Sequence, residues 1–243
     1  MSSSAHSERR RGRLYGRRKG PKLSAHQSDL LETLLPQLAL NLQQGADPRT
    51  YFSPPPCGEV ASEASGWGAV VDDVWLEIGF GGGEHLHWQA GHNPRTGMIG
   101  AEPFVNGVAK LLAKIENGAR NIRIHMGDAR DIIDALPDAS IGRVFILFPD
   151  PWPKTRHHKR RFVQTEMLDS LARVMKHGAE LRFASDDAPY LEWTLERLMA
   201  HPAFAWTATC ARDWKTRTAD WPQTRYEAKQ LHGVPGFLRF VRV

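Results

Sequence analysis

The chain of 243 residues carries only two cysteines, Cys57 and Cys210, with no Cys-x-x-Cys pair and no Cys/His cluster at zinc spacing. That excludes a disulfide scaffold and a zinc module, and it fits a reducing, cytoplasmic setting. No apolar run reaches the roughly 18 residues that a membrane-spanning helix needs, so no membrane partner is expected. The first residues lack an apolar core segment, which excludes a secretory signal. His85 and His87 alternate beside a glycine-rich turn but have no further ligands close in sequence, so no metal is expected. An acidic excess is absent as well. Lys and Arg number 32 against 27 Asp and Glu, for a formal net charge of +5.

The positive charge is uneven. One cluster comprises Arg9, Arg10, Arg11, Arg13, Arg17, Arg18, Lys19 and Lys22; the other comprises Lys154, Arg156, His157, His158, Lys159, Arg160 and Arg161. Clustering of one sign points to an anionic partner more than a uniform surface does. Residues 1–23, rich in Ser and Arg, fit a disordered basic arm better than a transit peptide. Residues 24–73 follow as a helix through Leu30, Leu31, Leu34, Leu35, Leu38 and Leu42, interrupted at Pro36, and then a Pro-, Gly- and Ser-rich connection. Residues 74–243 form the main domain.

Within that domain strands and helices alternate. Strands are expected over 74–78, 97–101, 121–126, 143–148, 179–184, 204–210 and 237–243. Helices are expected near 84–91, 105–115, 162–175 and 188–200. This order implies an α/β fold, a doubly wound and mainly parallel sheet with helices on both faces, closed by a C-terminal antiparallel hairpin. Ligands in such folds bind beyond the carboxyl ends of the strands, where the strand order switches. Acidic residues mark five successive strand ends: Glu77, Glu102, Asp128, Asp150 and Asp186. Asp128 and Asp186 also fit helix caps.

The first strand runs into Gly79-Phe80-Gly81-Gly82-Gly83-Glu84. Glycines there let the backbone turn sharply and approach a ligand. A dinucleotide fingerprint requires a third glycine at position 84, where this chain has Glu. Gly79-x-Gly81-x-Gly83, with Glu77 two places earlier, instead looks like the first motif of S-adenosylmethionine-dependent methyltransferases. Glu102 then sits where a carboxylate accepts from ribose hydroxyls, and Asp128 where one reads an adenine amino group.

The most informative stretch is FILFPDPWPKTRHHKRR, residues 145–161. An apolar strand ends in Pro149-Asp150-Pro151-Trp152-Pro153, and the basic cluster follows at once. A large aromatic, one carboxylate and a set of cations suit a nucleobase beside a phosphate backbone. Trp152 is open to two readings, a base-stacking ring or a packed loop aromatic.

Taken together, LEIGFGGGEHL, GAEPF, GDARD, FPDPWPKTRHHKRRF, FASDDAPY and TRYE closely resemble the bacterial tRNA (guanine-N7)-methyltransferases over roughly residues 70–243. The resemblance implies a Rossmann-like methyltransferase sheet and methyl transfer from S-adenosylmethionine to N7 of the variable-loop guanine, position 46, of tRNA. It implies that Glu77, Gly79, Gly81, Gly83, Glu102, Asp128 and Asp150 bind the donor or line its pocket, with Asp150 also at the reacting centre. Lys154, Asp186, Thr224, Arg225, Tyr226 and Glu227 would contact substrate. Arg156, His157, His158, Lys159, Arg160 and Arg161 would face the RNA. The sequence departs from the family pattern at Ala101, Pro103 and Asp187, none of which removes a named functional group.

Two other functions stay open at this point. Asp150-Pro151-Trp152 is a near relative of the acidic/Pro-Pro-aromatic turn of enzymes that methylate exocyclic amines of adenine or cytosine. A non-catalytic RNA-binding subunit that keeps the cofactor fold is the other. The oligomeric state, monomer or homodimer, is not encoded in any motif.

Overall fold

The structure is a computed structural model. It describes residues 15–16, 18–53, 71–118, 121–229 and 233–243, leaving aside the side chains of Tyr226 and Lys229. Much of the expected basic arm and of the Pro/Gly/Ser-rich connection, with Cys57, lies outside the described residues.

Seven strands form one sheet: β1 Asp73–Ile78, β2 Thr96–Ala101, β3 Ile122–His125, β4 Ile141–Leu147, β5 Met175–Ser185, β6 Phe204–Trp206 and β7 Gly236–Arg242, in the order β3-β2-β1-β4-β5-β7-β6. Strands β1 to β5 are parallel to their neighbours, and β7 runs antiparallel between β5 and β6. The expected sheet is present, and consecutive strands β6 and β7 form the C-terminal antiparallel pair, with β7 beside β5 and β6 at the edge. Strand β6 is shorter than the expected 204–210, and β5 begins at Met175, earlier than expected, because Met175 pairs with Ile141.

Strand parity divides the core. Leu76, Ile78, Ile99, Val144, Ile146, Leu181 and Phe183 pack with Ile132, Ile133, Leu168, Leu171 and Leu198. These come from helices Ala129–Ala135, Thr165–Val174 and Ala188–Ala200. Met98, Phe145, Leu147 and Ala184 pack on the other face with Leu86, Val108, Leu111 and Leu112, from helices Glu84–His92 and Val105–Ile115. Period-two strands thus meet helices whose apolar residues recur at three and four. Leu30 and Leu38 join the second cluster, from helices Ala25–Thr33 and Leu35–Leu38. The break between those helices falls at Leu34, one residue before the leucine that precedes Pro36, and Ser24 with Gln27 forms a capping box at the start.

The basic arm differs from expectation in its last part. The Val105 N–H donates to the Arg18 carbonyl (3.0 Å), the Gly20 N–H to Asn106 Oδ1 (2.7 Å) and Asn106 Nδ2 to the Pro21 carbonyl (2.8 Å). Residues 18–21 therefore dock on the first turn of helix Val105–Ile115, where helical N–H groups lack internal partners. Among the described residues no helix is long and apolar enough to cross a membrane.

Helix Val105–Ile115 also lies directly against the glycine turn after β1: a Cβ on Gly107 would collide with the Gly81 carbonyl. Gly107→Ala is expected to lower stability by about 1–3 kcal/mol through this backbone clash. Gly91→Ala, in a helix position with open space around it, is expected to be neutral or stabilising by up to about 1 kcal/mol. Denaturant unfolding of the two variants checks the contrast; equal effects would contradict it.

Candidate functional site

Strands β1 and β4 are parallel neighbours from which the chain winds in opposite directions, so their carboxyl ends flank the switch point of the sheet. A cavity of about 380 Å³ opens there, within the size of small-molecule sites. Its walls include Tyr15, Gly79, Gly81, Glu102, Phe104, Asp128, Arg130, Phe148, Asp150, Trp152, Arg160 and Phe162.

The floor is the glycine turn. Gly79, Gly81 and Gly83 have φ of +73°, +55° and +74°, a left-handed region costly for residues with a Cβ. Gly79 faces open space, whereas a Cβ on Gly83 would meet Leu111 at 2.6 Å. The three expected glycines therefore separate: Gly79 and Gly81 line the cavity, and Gly83 allows the following helix to pack. Glu102, buried at 7 % exposure, holds the turn. Its carboxylate accepts from the Gly81 N–H (2.7 Å) and the Phe104 N–H (2.9 Å). Desolvation raises its pKa, the two backbone donors oppose that shift, and Asp150 and Glu77 add to it. Asp128 lines the wall beyond β3 and is also the cap of helix Ala129–Ala135, accepting from the Arg130 N–H (3.1 Å).

The opposite wall follows β4. Phe148 and Trp152 adopt φ of +51° and +46° on either side of Asp150. Non-glycine residues persist in that region only where surroundings hold them, each at a cost of about 1–3 kcal/mol. Solvent reaches Asp150, yet the walls crowd its carboxyl enough for desolvation to raise its pKa. Arg161 is part of the brace for this loop. It is 3 % exposed, donates from Nε to the Pro151 carbonyl (2.8 Å) and lies over the rings of Tyr190 and Trp193, each at 4.9 Å. This corrects its assignment to an RNA-facing surface, since a buried guanidinium committed to backbone and rings has no face toward solvent.

Residues Thr155–Arg160 form a 3₁₀ helix. Lys154, Arg156 and Lys159 are exposed on it. His157 is held below the usual histidine range by desolvation and by Arg160, Arg156, Lys154 and Lys159 around it. His158 is partly covered, its ring edge-on to Trp193 at 5.2 Å. Arg160 alone of the basic cluster lines the cavity.

Several expected site residues lie elsewhere. Glu77 points to the opposite face of β1 from Ile78. It is buried and accepts from His85 Nδ1 (2.8 Å). With Nδ1 donating, His85 Nε2 accepts from Gln89 (3.1 Å), whose amide also donates to the Asp220 carbonyl (2.7 Å). Thr224, Arg225 and Glu227 do not line the cavity. Thr224 Oγ1 accepts from the Glu227 N–H (3.2 Å), and the buried Glu227 carboxylate accepts from Arg217 Nε (3.0 Å). Thr224 and Glu227 therefore set the start of helix Arg225–Lys229. Lys154 and Asp186 also lie outside the cavity wall. The cap of helix Ala188–Ala200 is Asp187, accepting from the Tyr190 N–H (2.8 Å), which corrects the capping role open to Asp186. Tyr15, Phe104, Arg130, Phe148 and Phe162 are cavity residues that sequence reasoning passed over. For Tyr15 a signal existed, one aromatic inside an otherwise basic stretch.

Comparison with known proteins places this arrangement. Residues 72–234 match a family model described as a putative methyltransferase. Curated tRNA (guanine-N(7)-)-methyltransferases are similar over most of their length. That of Rhodospirillum rubrum is 49 % identical, covering 95 % of this chain and 88 % of the relative. That of Caulobacter vibrioides is 51 % identical with 95 % of each covered, and that of Brucella anthropi 47 % identical with both covered completely. Among solved structures, the 16S rRNA methyltransferase KamB superposes with a TM-score of 0.50 at 17 % identity, over 72 % of this chain and 90 % of that one. A Streptococcus thermophilus rRNA methylase gives 0.50 at 11 %, over 72 % and 90 %. At such identities these share the fold. By its similarity to the curated relatives along almost its whole length, the chain belongs to the tRNA (guanine-N(7)-)-methyltransferase family.

Proposed function

We propose that this enzyme transfers a methyl group from S-adenosylmethionine to N7 of guanine 46 in the variable loop of tRNA, in a cytoplasmic setting. The observation that carries the reading is the cavity at the switch point, where the glycine turn, the Glu102 carboxylate and Asp150 meet. The donor set fits this cofactor. Each Glu102 oxygen has a lone pair beyond its backbone bond for ribose hydroxyls, Gly79 leaves open space for close approach, and Asp128 offers an acceptor for an amino group.

The cofactor supplies an electrophilic methyl group on a positively charged sulfur. Guanine N7 carries an in-plane lone pair, so no proton has to be removed before it attacks. What the chain contributes is alignment and electrostatics. Holding the purine in line is worth about 7–11 kcal/mol where geometry is ideal. Asp150 in the cavity wall would stabilise positive charge developing on the purine, and the proline-bounded loop keeps that carboxylate in place. The exposed cations Lys154, Arg156 and Lys159, with His157, offer phosphate contacts next to the cavity. Asp186 is assigned to the N1–H and N2–H₂ groups of guanine, two adjacent donors that suit a carboxylate.

Nucleoside mass analysis of tRNA incubated with the protein and S-adenosylmethionine tests the reaction. It is expected to yield 7-methylguanosine, and mass mapping of oligonucleotides from the same tRNA to place it at position 46. An exocyclic N-methyl base would favour the amino-methyltransferase reading, and no product despite donor binding the non-catalytic one. Glu102→Ala is expected to weaken donor binding by about 1–3 kcal/mol; unchanged calorimetric affinity in a folded variant would remove Glu102 from the donor site. Asp186→Asn is expected to cut turnover on tRNA more than about tenfold while donor affinity holds. Because Asp187 caps the helix, near-normal turnover would leave Asp186 without a role in guanine recognition. Within the basic cluster, Arg156→Ala with Lys159→Ala is expected to flatten the salt dependence of tRNA binding by up to about 2 units. Arg161→Ala is expected to lower the melting temperature and leave that slope nearly intact. The reverse pattern would show Arg161 to be the phosphate ligand.

A further inference from the structure

Tyr15 lies outside residues 72–234, the stretch matched by the family model, yet it lines the cavity. Its ring meets that of Trp152 edge to face, with centroids 6.1 Å apart. The guanidinium of Arg160 sits over both, 4.6 Å from the Tyr15 centroid and 4.9 Å from that of Trp152. Two aromatic faces thus fix a side chain that would otherwise sample many rotamers. Stacking engages the faces of a guanidinium and leaves its N–H edge for an acceptor. Among the described residues Arg160 Nε is buried and has no hydrogen-bond partner. An N–H left in that state is costly, and a charge-assisted bond to an anion satisfies it. Residues 18–21, bonded to the start of helix Val105–Ile115, hold the segment that delivers Tyr15. The same segment passes close to Asp150: a Cβ on Gly16 would stand 3.4 Å from its Oδ2.

We propose that Tyr15 is a positioning residue that holds Arg160 against Trp152, so that the guanidinium edge receives an RNA phosphate flanking the methylated guanosine. The proposal rests on the RNA-methylating reading above. The anion is assigned to RNA because Arg160 belongs to the cationic stretch that begins at Lys154, whose exposed members Lys154, Arg156 and Lys159 carry no carboxylate partner among the described ion pairs. The carboxylate of the methyl donor has the same chemistry, and the test separates the two.

The test is a double-mutant cycle in the full chain, with Tyr15→Ala, Arg160→Ala and both together, and Tyr15→Phe as the conservative variant. Single-turnover methyl transfer to an unmodified tRNA transcript and calorimetric donor affinity are measured on each. Tyr15→Ala is expected to slow transfer about tenfold, the scale of a desolvated cation–π contact, and Tyr15→Phe to restore it. The double variant is expected to be no slower than Arg160→Ala, because Tyr15 acts through Arg160. Donor affinity is expected to stay constant throughout. Additive effects, an undisturbed Tyr15→Ala rate or a defect that Tyr15→Phe shares would overturn the proposal. A loss of donor affinity in Tyr15→Ala would overturn it too, by assigning the anion to the donor. A wild-type protein that methylates no tRNA would overturn the functional reading, and the proposal with it, whereas additive effects in an active enzyme overturn the proposal alone.

Discussion

The cavity depends on one buried carboxylate. Glu102 emerges from the end of β2 and accepts hydrogen bonds from Gly81, in the turn after β1, and from Phe104, just before the helix that follows β2. Two strand ends are thereby fixed to each other by a group that water barely reaches. Desolvation works against the charged form, and the two backbone N–H groups are what offset it. The geometry follows from that balance. Gly81 presents its N–H to Glu102 with a positive φ, and the helix can come close enough only because position 107 has no side chain. The glycines and the acid form one constraint, in which the acid gives the turn its shape and the glycines permit the shape.

The facing wall is built on a different principle. The loop after β4 has prolines on both sides of Asp150, two residues in the left-handed region and an arginine folded beneath it. Strain of this kind survives when the surroundings determine it from several directions. Arg161 supplies one direction through the Pro151 carbonyl, and β5 another through the Phe148 N–H, which donates to the Ala184 carbonyl at 2.8 Å. A loop held so firmly keeps the Asp150 carboxylate in one place, which is what the role proposed for it requires.

The strands, the glycine turn and the acids at the strand ends were legible in the sequence, because apolar runs bounded by glycine, proline and acid carry strong local signals. Tyr190 shows why the start of the next helix was less so. Its hydroxyl accepts from the N–H groups of Phe162 and Val163, which holds those residues outside the helix expected to include them. Helix Ala129–Ala135 was signalled only by the cap at Asp128, being too short to show a period. Glu77 stood in a motif whose likeness favoured the cavity, but strand parity sends it to the face opposite Ile78, where His85 meets it. Arg160 and Arg161 are adjacent and chemically identical. Only the fold reveals that one lies between rings at the cavity and the other beneath the loop, because each has ring partners distant in sequence, Tyr15 for Arg160 and Tyr190 and Trp193 for Arg161. Tyr15 stood out as an aromatic in a basic stretch, but its place at the cavity was hidden for the same reason: its contacts span more than a hundred residues.

The polar network behind the turn explains how the C-terminal connection finds its place. Glu77, His85 and Gln89 form a buried row that ends on the Asp220 carbonyl, while the Asp220 carboxylate receives Arg182 Nη2 at 2.6 Å. Trp221, fully buried, packs edge-on to both His85 and Phe237. An apolar contact alone would tolerate sliding of the connection. A row of buried polar groups does not, since a shift of one residue would strand a carboxylate or a guanidinium without its partner. The register of Thr224 to Glu227 is therefore set by the helix that follows the glycine turn. A segment far along the chain is thereby fixed relative to the cavity floor, through buried Glu77, His85 and Gln89 on one side and the buried Arg182 guanidinium on the other.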